Sequence, residues 1–385
     1  MADRILKSLT FPGLPDKYLI PQGTVTEADL EEAEGKKADA IVRSASGEIA
    51  SYDDGGDLPM KSLKVNIVPK QSGSGDPSPD NVRPISGTDE VKVTKCGKNL
   101  LDPNQGANGY IDASGDVVLF SGSHASDYIK VNAGQTVTMS YTRISEGEGT
   151  GIRIAWYDKN KTFIQRDGEV ESVSVGRKSS SAVAPQNAVY VRASSRNCEQ
   201  MLVIGTNTDY QAYNSTDISI TLPSTVYGGT LDVVSGKLVI DRAFYQYDNI
   251  NTQSGTAVTG GWRCDFPCPN DDINRGKWTA ADGIPLFSMF ANKALADGGF
   301  SKGYSANGYT VIVPNATSKA EADTILNGLQ LCYWLATPIE IQLTPTEVKS
   351  LLGDNNVWSD SGTVEVEYRA DTSLVINKIL EALEG

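Results

Sequence analysis

Histidine is all but missing. His124 is the one histidine in 385 residues. A Ser-His-Asp or Cys-His hydrolase would have to be built on it. Its Gly-Ser-His-Ala-Ser setting reads as a turn. Cysteine is sparse, odd in number and scattered (Cys96, Cys198, Cys264, Cys268, Cys332), unlike a disulfide framework. Cys264 and Cys268 lie close together, but a structural zinc site would need a second pair or more imidazole. Reduced thiols are therefore expected, with a local disulfide as the alternative. Positive charge is short: 34 Lys and Arg against 48 Asp and Glu give a net charge of −14. A nucleic-acid partner calls for the opposite balance. No apolar run approaches the ~18 residues of a membrane span, so membrane insertion is not expected. Neither phosphate-binding glycine motif is present.

What the chain does have is β chemistry. Gly (37) and Tyr (16) are plentiful, as expected where short strands meet in tight turns. The expected fold is mainly β, beginning with an extended, proline-punctuated arm over residues 1–23. A short acidic helix follows, capped by Thr26 and stopped by Gly35. Residues 40–52 alternate weakly, as a hairpin around Ser46-Gly47 would. From Ile67 to Asp102 a Ser/Gly/Asp/Pro tract with four prolines (Pro69, Pro77, Pro79, Pro84) joins two β-rich runs. It has almost no apolar side chains to bury, and reads as a structured connector.

Strand signals recur from about 96 to 222. Val137, Met139 and Tyr141 share one parity. Ile152, Ile154 and Trp156 share another, which places Trp156 in the core and Arg153 and Tyr157 on the opposite face. The same parity sets Tyr190 and Arg192 against Val189 and Val191. Arg153, Tyr157, Tyr190 and Arg192 are thus candidate ligand-binding residues on one sheet face. Flat rings suit sugar C–H surfaces and guanidinium suits hydroxyls, although a solvated face with cation–π pairs fits equally. Trp262 joins them as a candidate, because it and Trp278 flank a long Gly/Asn/Asp-rich stretch, Gly260–Gly283. Beyond 222, Gly229–Asp241 reads as a hairpin. Ser318 caps a helix with Glu321 at its third position and Gly328 as its stop. Thr344-Pro345-Thr346-Glu347 predicts another, ending at Gly353. Val364, Val366 and Tyr368 alternate as a strand. Val375, Ile376, Ile379, Leu380 and Leu383 give a terminal helix an apolar stripe.

Calcium is the one cofactor the turns could hold, at Asp53, Asp54 and Asp57 or at Asp271 and Asp272, though neither follows an EF-hand spacing and turn chemistry alone explains such residues. The 48 acids single out no glycosidase pair.

The Ile67–Asp102 connector resembles a linker of minor structural proteins in the tails of siphophage-like phages and prophages of Gram-positive bacteria. The runs Val131-Asn132-Ala133-Gly134-Gln135, Ile152–Asp158, Ala188–Arg192 and Asp209–Tyr213 resemble the jelly-roll, carbohydrate-binding-type modules of such proteins, over roughly 130 residues. The stretch from Ile339 to Asp371 resembles their ends. The resemblance implies a non-enzymatic tail, baseplate or fibre component located in the virion tail. Its partners would be other tail proteins, copies of itself in a homotrimer, and host-surface polysaccharide. The alternative is a cell-wall or polysaccharide hydrolase carrying a binding module. The first residues lack the order of a secretory leader, so exit by cell lysis is expected. The implied organisation is an attachment segment with a short helix (1–66), a connector (67–95), a central jelly-roll β-sandwich (96–222), a C-terminal β-rich domain with two short helices (223–370) and a terminal helix (371–385).

Overall fold

The computed structural model describes residues 37–45, 48–53, 60–143, 151–168, 175–196, 199–253, 255–267, 285–302, 308–349, 351 and 353–371. The arm, the acidic helix and the terminal helix expected from the sequence lie outside them, as do Trp278, Cys198, Cys268, Asp54, Asp57, Asp271 and Asp272. The fold is mainly β, with a single α-helix, Lys319–Leu326, among the described residues. Two compact units interleave along the chain. The first comprises Met1–Leu63, Lys92–Ser219 and Glu347–Gly385, and the second Lys64–Val91 and Ile220–Thr346.

Two antiparallel sheets face each other in the first unit. One is built on Arg153–Tyr157, which pairs with Phe163–Asp167 on one side and Tyr190–Arg196 on the other. Ser123–Ala125 and Ile129–Lys130 continue it beyond Tyr190–Arg196. The other sheet is Gly176–Val183, Thr136–Arg143 and Gln200–Ile204. Strand alternation sends Ile154, Trp156, Val191 and Ala193 to the inner face of the first sheet, where they pack on Val137, Met139, Tyr141 and Leu202 of the second.

Elsewhere in this unit the sequence misleads. Residues 40–52 do not form their own hairpin. Lys37–Ser44 pairs with Val364–Asp371, and Ala50–Asp53 with Asp354–Ser359. Weak local alternation says that a strand exists, but not which strand it meets three hundred residues away. Lys95 is also unexpected: it is fully buried, and its ammonium donates to the Lys349 carbonyl at 2.9 Å.

In the second unit, Gly229–Asp232 and Lys237–Tyr247 form the expected hairpin, and Leu329–Gln342 extends it. A second sheet runs Gly255–Val258, Gly261–Pro267, Gly308–Pro314 and Phe300–Lys302. Phe266, Phe287, Tyr309, Leu331, Ala322 and Leu326 pack between the sheets and the helix. Ser318 caps that helix by accepting from the Glu321 amide, and Gly328 beyond its end has φ 83°. The Glu321 carboxylate turns back to the Thr317 amide at 2.7 Å, which holds it below the usual carboxylate range.

The helix expected at Thr344–Gly353 is not there: residues 343–349 are irregular. The Leu343 amide donates to Gly236 at 2.8 Å and the Thr346 amide to Val233 at 3.2 Å, both carbonyls of the hairpin turn. These two bonds fasten the segment to the hairpin turn in an irregular conformation, against a weak local helix propensity.

The proline-rich tract is ordered around one side chain. The Arg83 guanidinium donates to the carbonyls of Ser72 and Gly73, each at 2.8 Å, and to that of Gly75. The Asn81 carboxamide donates to Ser74 and Asp76 carbonyls. The tract's ends are fixed by Gln71, whose amide reaches Phe287 O at 2.9 Å, and by the Ile85 amide, which donates to Gln330 at 2.8 Å.

Candidate functional site

The outer face of the first unit's Arg153–Tyr157 sheet gathers most of the candidate residues. Arg153, Ala155 and Tyr157 stand opposite Ser194, Arg192 and Tyr190 in register. Lys130 is the cross-strand partner of Tyr190 on the next strand. Tyr157, Tyr190 and Lys130 therefore form one row across three strands.

Part of this face is covered. Tyr110–Ile111 and Val117–Val118 make a small ribbon, and Ile111 and Val117 of that ribbon pack on Ala155, Tyr157 and Phe163. The Ile111 amide donates to Ser194 Oγ at 3.0 Å, and Tyr157 Oη donates to the Gly115 carbonyl at 2.6 Å. Only glycine fits at the ribbon's turn: Gly115 has φ +85°, and an added Cβ would lie 2.2 Å from the Phe163 ring. Tyr157 is consequently buried, and burial raises its phenol above the ordinary range despite the opposing charge of Arg192. Arg192 is nearly buried too, and its Nε donates to the Ser126 carbonyl at 2.8 Å. These two side chains support the face from beneath.

The accessible part joins Tyr190 to residues the sequence did not flag. Tyr128 comes from the loop before Ile129–Lys130. Its ring meets Tyr157 edge-on at 5.0 Å and Tyr190 at 5.8 Å. Lys161, from the turn after Arg153–Tyr157, holds its ammonium 4.6 Å from the Tyr128 centroid and 5.8 Å from that of Tyr190. Arg192 approaches Tyr128 at 4.8 Å. A cavity of about 350 Å³ opens beside Tyr190, with Glu48, Lys130 and Asn132 in its lining, at the small end of the range for ligand clefts. Tyr190 thus belongs both to the aromatic cluster and to the cavity. Sequence periodicity places strand residues, but it carries no signal for a loop tyrosine or a turn lysine folding over a sheet.

Two candidates lie elsewhere. Arg153 stacks on Tyr110 at 4.5 Å, beside Phe120 and the strongly exposed Leu119. Trp262 belongs to the second unit. It is half-buried against that unit's core, and the indole edge lies against the backbone of Gly255.

Of the calcium candidates only Asp53 is described. It faces Asp354 across paired strands. No group of three or more His, Cys, Asp or Glu side chains is placed to hold a metal among the described residues. Burial raises the Asp354 carboxyl, and the charge and hydrogen bond of Asp53 raise it further, against Lys98 and Asn207. Between the unfolded and the folded pKa the folded state therefore holds a proton that the unfolded chain releases. This contribution to stability is complete below the unfolded pKa and lost as pH rises through the folded one. Asp354→Asn is expected to stabilise the fold at pH 7, by on the order of 0.5 kcal/mol for a cross-strand carboxyl pair, and so to raise the thermal midpoint there, with little change near pH 3. Melting curves at the two pH values check this, and equal shifts at both would remove the account.

Cys96, Cys264 and Cys332 are free and buried. Burial pushes each thiol up to about 12, which makes them inert packing groups.

Among the described residues no helix is long and apolar enough to cross a membrane. No protein-family model and no solved structure matches the chain. One curated relative is a protein named "Tail fiber protein", from Enterococcus phage phiEF24C. It is 33% identical over 111 residues, which are 29% of this chain and 5% of that protein. The name printed for that protein says nothing of carbohydrate-binding modules, and this chain spans a small part of its length.

Proposed function

We propose that the chain is a non-enzymatic structural component of a phage tail, at its baseplate, fibre or receptor-binding end. In this reading the first unit's sandwich is a carbohydrate-binding-type module that contacts saccharide on the host surface. The likeness to a tail fibre protein supports the setting. The observation that carries the contact is the double membership of Tyr190, in the cation-topped aromatic cluster and in the lining of the cavity. Ring faces of Tyr128 and Tyr190 suit sugar C–H surfaces, and Asn132 and Glu48 suit hydroxyls. Other tail proteins and copies of the chain in a homotrimer are the expected partners. The rival hydrolase needs two carboxyls roughly 5–10 Å apart across a glycosidic bond. The 48 acids of the chain single out no such pair.

The test is adsorption of the labelled full chain to a panel of Gram-positive cells and to their isolated wall polysaccharide. Binding is expected, and Tyr190→Ala should weaken it at least ~5-fold, about 1 kcal/mol, without a change in circular dichroism. Binding that survives Tyr190→Ala unchanged would move the contact off this face. A monomer in sedimentation would remove the trimer.

A further inference from the structure

Lys161 occupies a backbone conformation that lysine does not favour. Its φ is 63°, and the other non-glycine residues with positive φ among those described are Asn249 and Asn315. Asparagine tolerates the left-handed region, whereas a long aliphatic side chain gains nothing there. The turn holds Lys161 in place from both sides. Asp158 Oδ1 accepts from the Asn160 and Thr162 amides, each at 2.8 Å, and the Lys161 amide donates to the Asp158 carbonyl at 3.0 Å. Backbone strain of this kind concentrates where a side chain has a task.

The ammonium is what this lysine supplies, and it stands over Tyr128 and Tyr190. Lys130 flanks the same Tyr190 and lines the cavity, and Arg192 backs Tyr128. None of these three cations has a carboxylate partner among the described residues. The neighbouring acids are engaged by backbone amides: Glu48 accepts from Ala45 at 2.9 Å, Asp127 from Tyr128 at 2.7 Å, and Asp158 from Asn160 and Thr162 at 2.8 Å. A chain of net charge −14 has carboxylates to spare, yet it leaves three like charges around two rings. Cations left without an ion pair in this way are open to an anion brought by a ligand.

We infer that the Tyr128–Tyr190 face binds an anionic saccharide, with a sugar or polyol unit on the tyrosines and its phosphate or carboxylate held by Lys161 and Lys130. The inference rests on the saccharide-contact reading and narrows its ligand class. Lys161 and Lys130 supply charge and selectivity, and Tyr190 supplies the ring that any saccharide would use.

Isothermal titration of the full chain with four probes tests it: a glycerol-phosphate oligomer, an oligogalacturonate, an uncharged dextran oligosaccharide and an oligothymidylate. The first two separate phosphate from carboxylate as the source of the anion. At least one of them should bind at least ~10-fold tighter than dextran, and its binding should weaken as salt rises from about 0.05 to 0.3 M. Lys161→Gly relieves the backbone, so its melting temperature should equal or exceed that of the parent, while anion binding falls at least ~5-fold. Lys130→Met should weaken binding similarly. Dextran binding as tight as that of the anions, lost in Tyr190→Ala but kept in Lys161→Gly, would overturn the anionic class and leave the saccharide face standing. No binding of any saccharide would overturn both. Oligothymidylate binding as tight as the charged saccharides would overturn the saccharide in favour of nucleic acid.

Discussion

Alanine at position 156 is expected to destabilise the first unit by about 3–5 kcal/mol, the range for a fully buried tryptophan. Trp156 has no exposed surface and packs among Val137, Met139, Tyr141 and Leu202 of the facing sheet. Its removal opens a void between two sheets that are each held by strand pairing, so neither can collapse to fill it. The indole also donates to Asp167 Oδ2 at 2.7 Å, an oxygen shared with the Gln165 amide at 2.8 Å. Trp156→Phe keeps much of the volume and loses that bond, and should cost about 1.5–3 kcal/mol. Urea unfolding of the two variants separates packing from hydrogen bonding. A loss below ~1 kcal/mol for the alanine variant would mean that the sandwich core is not where this tryptophan lies. The consequence reaches the candidate site, because Trp156 is the cross-strand partner of Val191, next to Tyr190 and Arg192.

Period-two reasoning was enough to place Trp156 inside and to group Arg153, Tyr157, Tyr190 and Arg192 outside, since parity is a property of each strand alone. Capping chemistry was enough for Ser318, whose partners are three residues away. Both fail where the deciding contact is remote. The strand at 37–44 finds its mate at 364–371, and the 343–349 stretch gives its amides to a turn a hundred residues earlier. The site failed for the same reason. Parity could not foresee the 110–118 ribbon that covers Tyr157, nor Tyr128 and Lys161 arriving from separate loops. One local signal was present: a lysine closing an Asp-Lys-Asn-Lys turn, at a position where glycine or asparagine would be the easier residue.

The second large effect is expected at Arg83, in a tract that no apolar core supports. Ordering residues 72–82 costs on the order of 1–2 kcal/mol each in backbone entropy, a loss that Pro77 and Pro79 reduce by stiffening the unfolded chain. Charge-assisted bonds from one planar guanidinium to the carbonyls of Ser72, Gly73 and Gly75 supply part of the compensation. Arg83→Ala leaves those oxygens to water and should destabilise the second unit by about 2–4 kcal/mol, the loss of two to three such bonds discounted for exposure. Arg83→Lys should recover less than half of it, because one ammonium cannot span three carbonyls fixed in a fork. Hydrogen exchange gives the sharper test. The fixed ends of the tract have their own anchors in Phe287 and Gln330, so protection should collapse between 72 and 82 and persist at Ile85. A uniform loss across the second unit would mean that Arg83 supports the whole unit. No loss at all would mean that the prolines and Asn81 hold the tract without it.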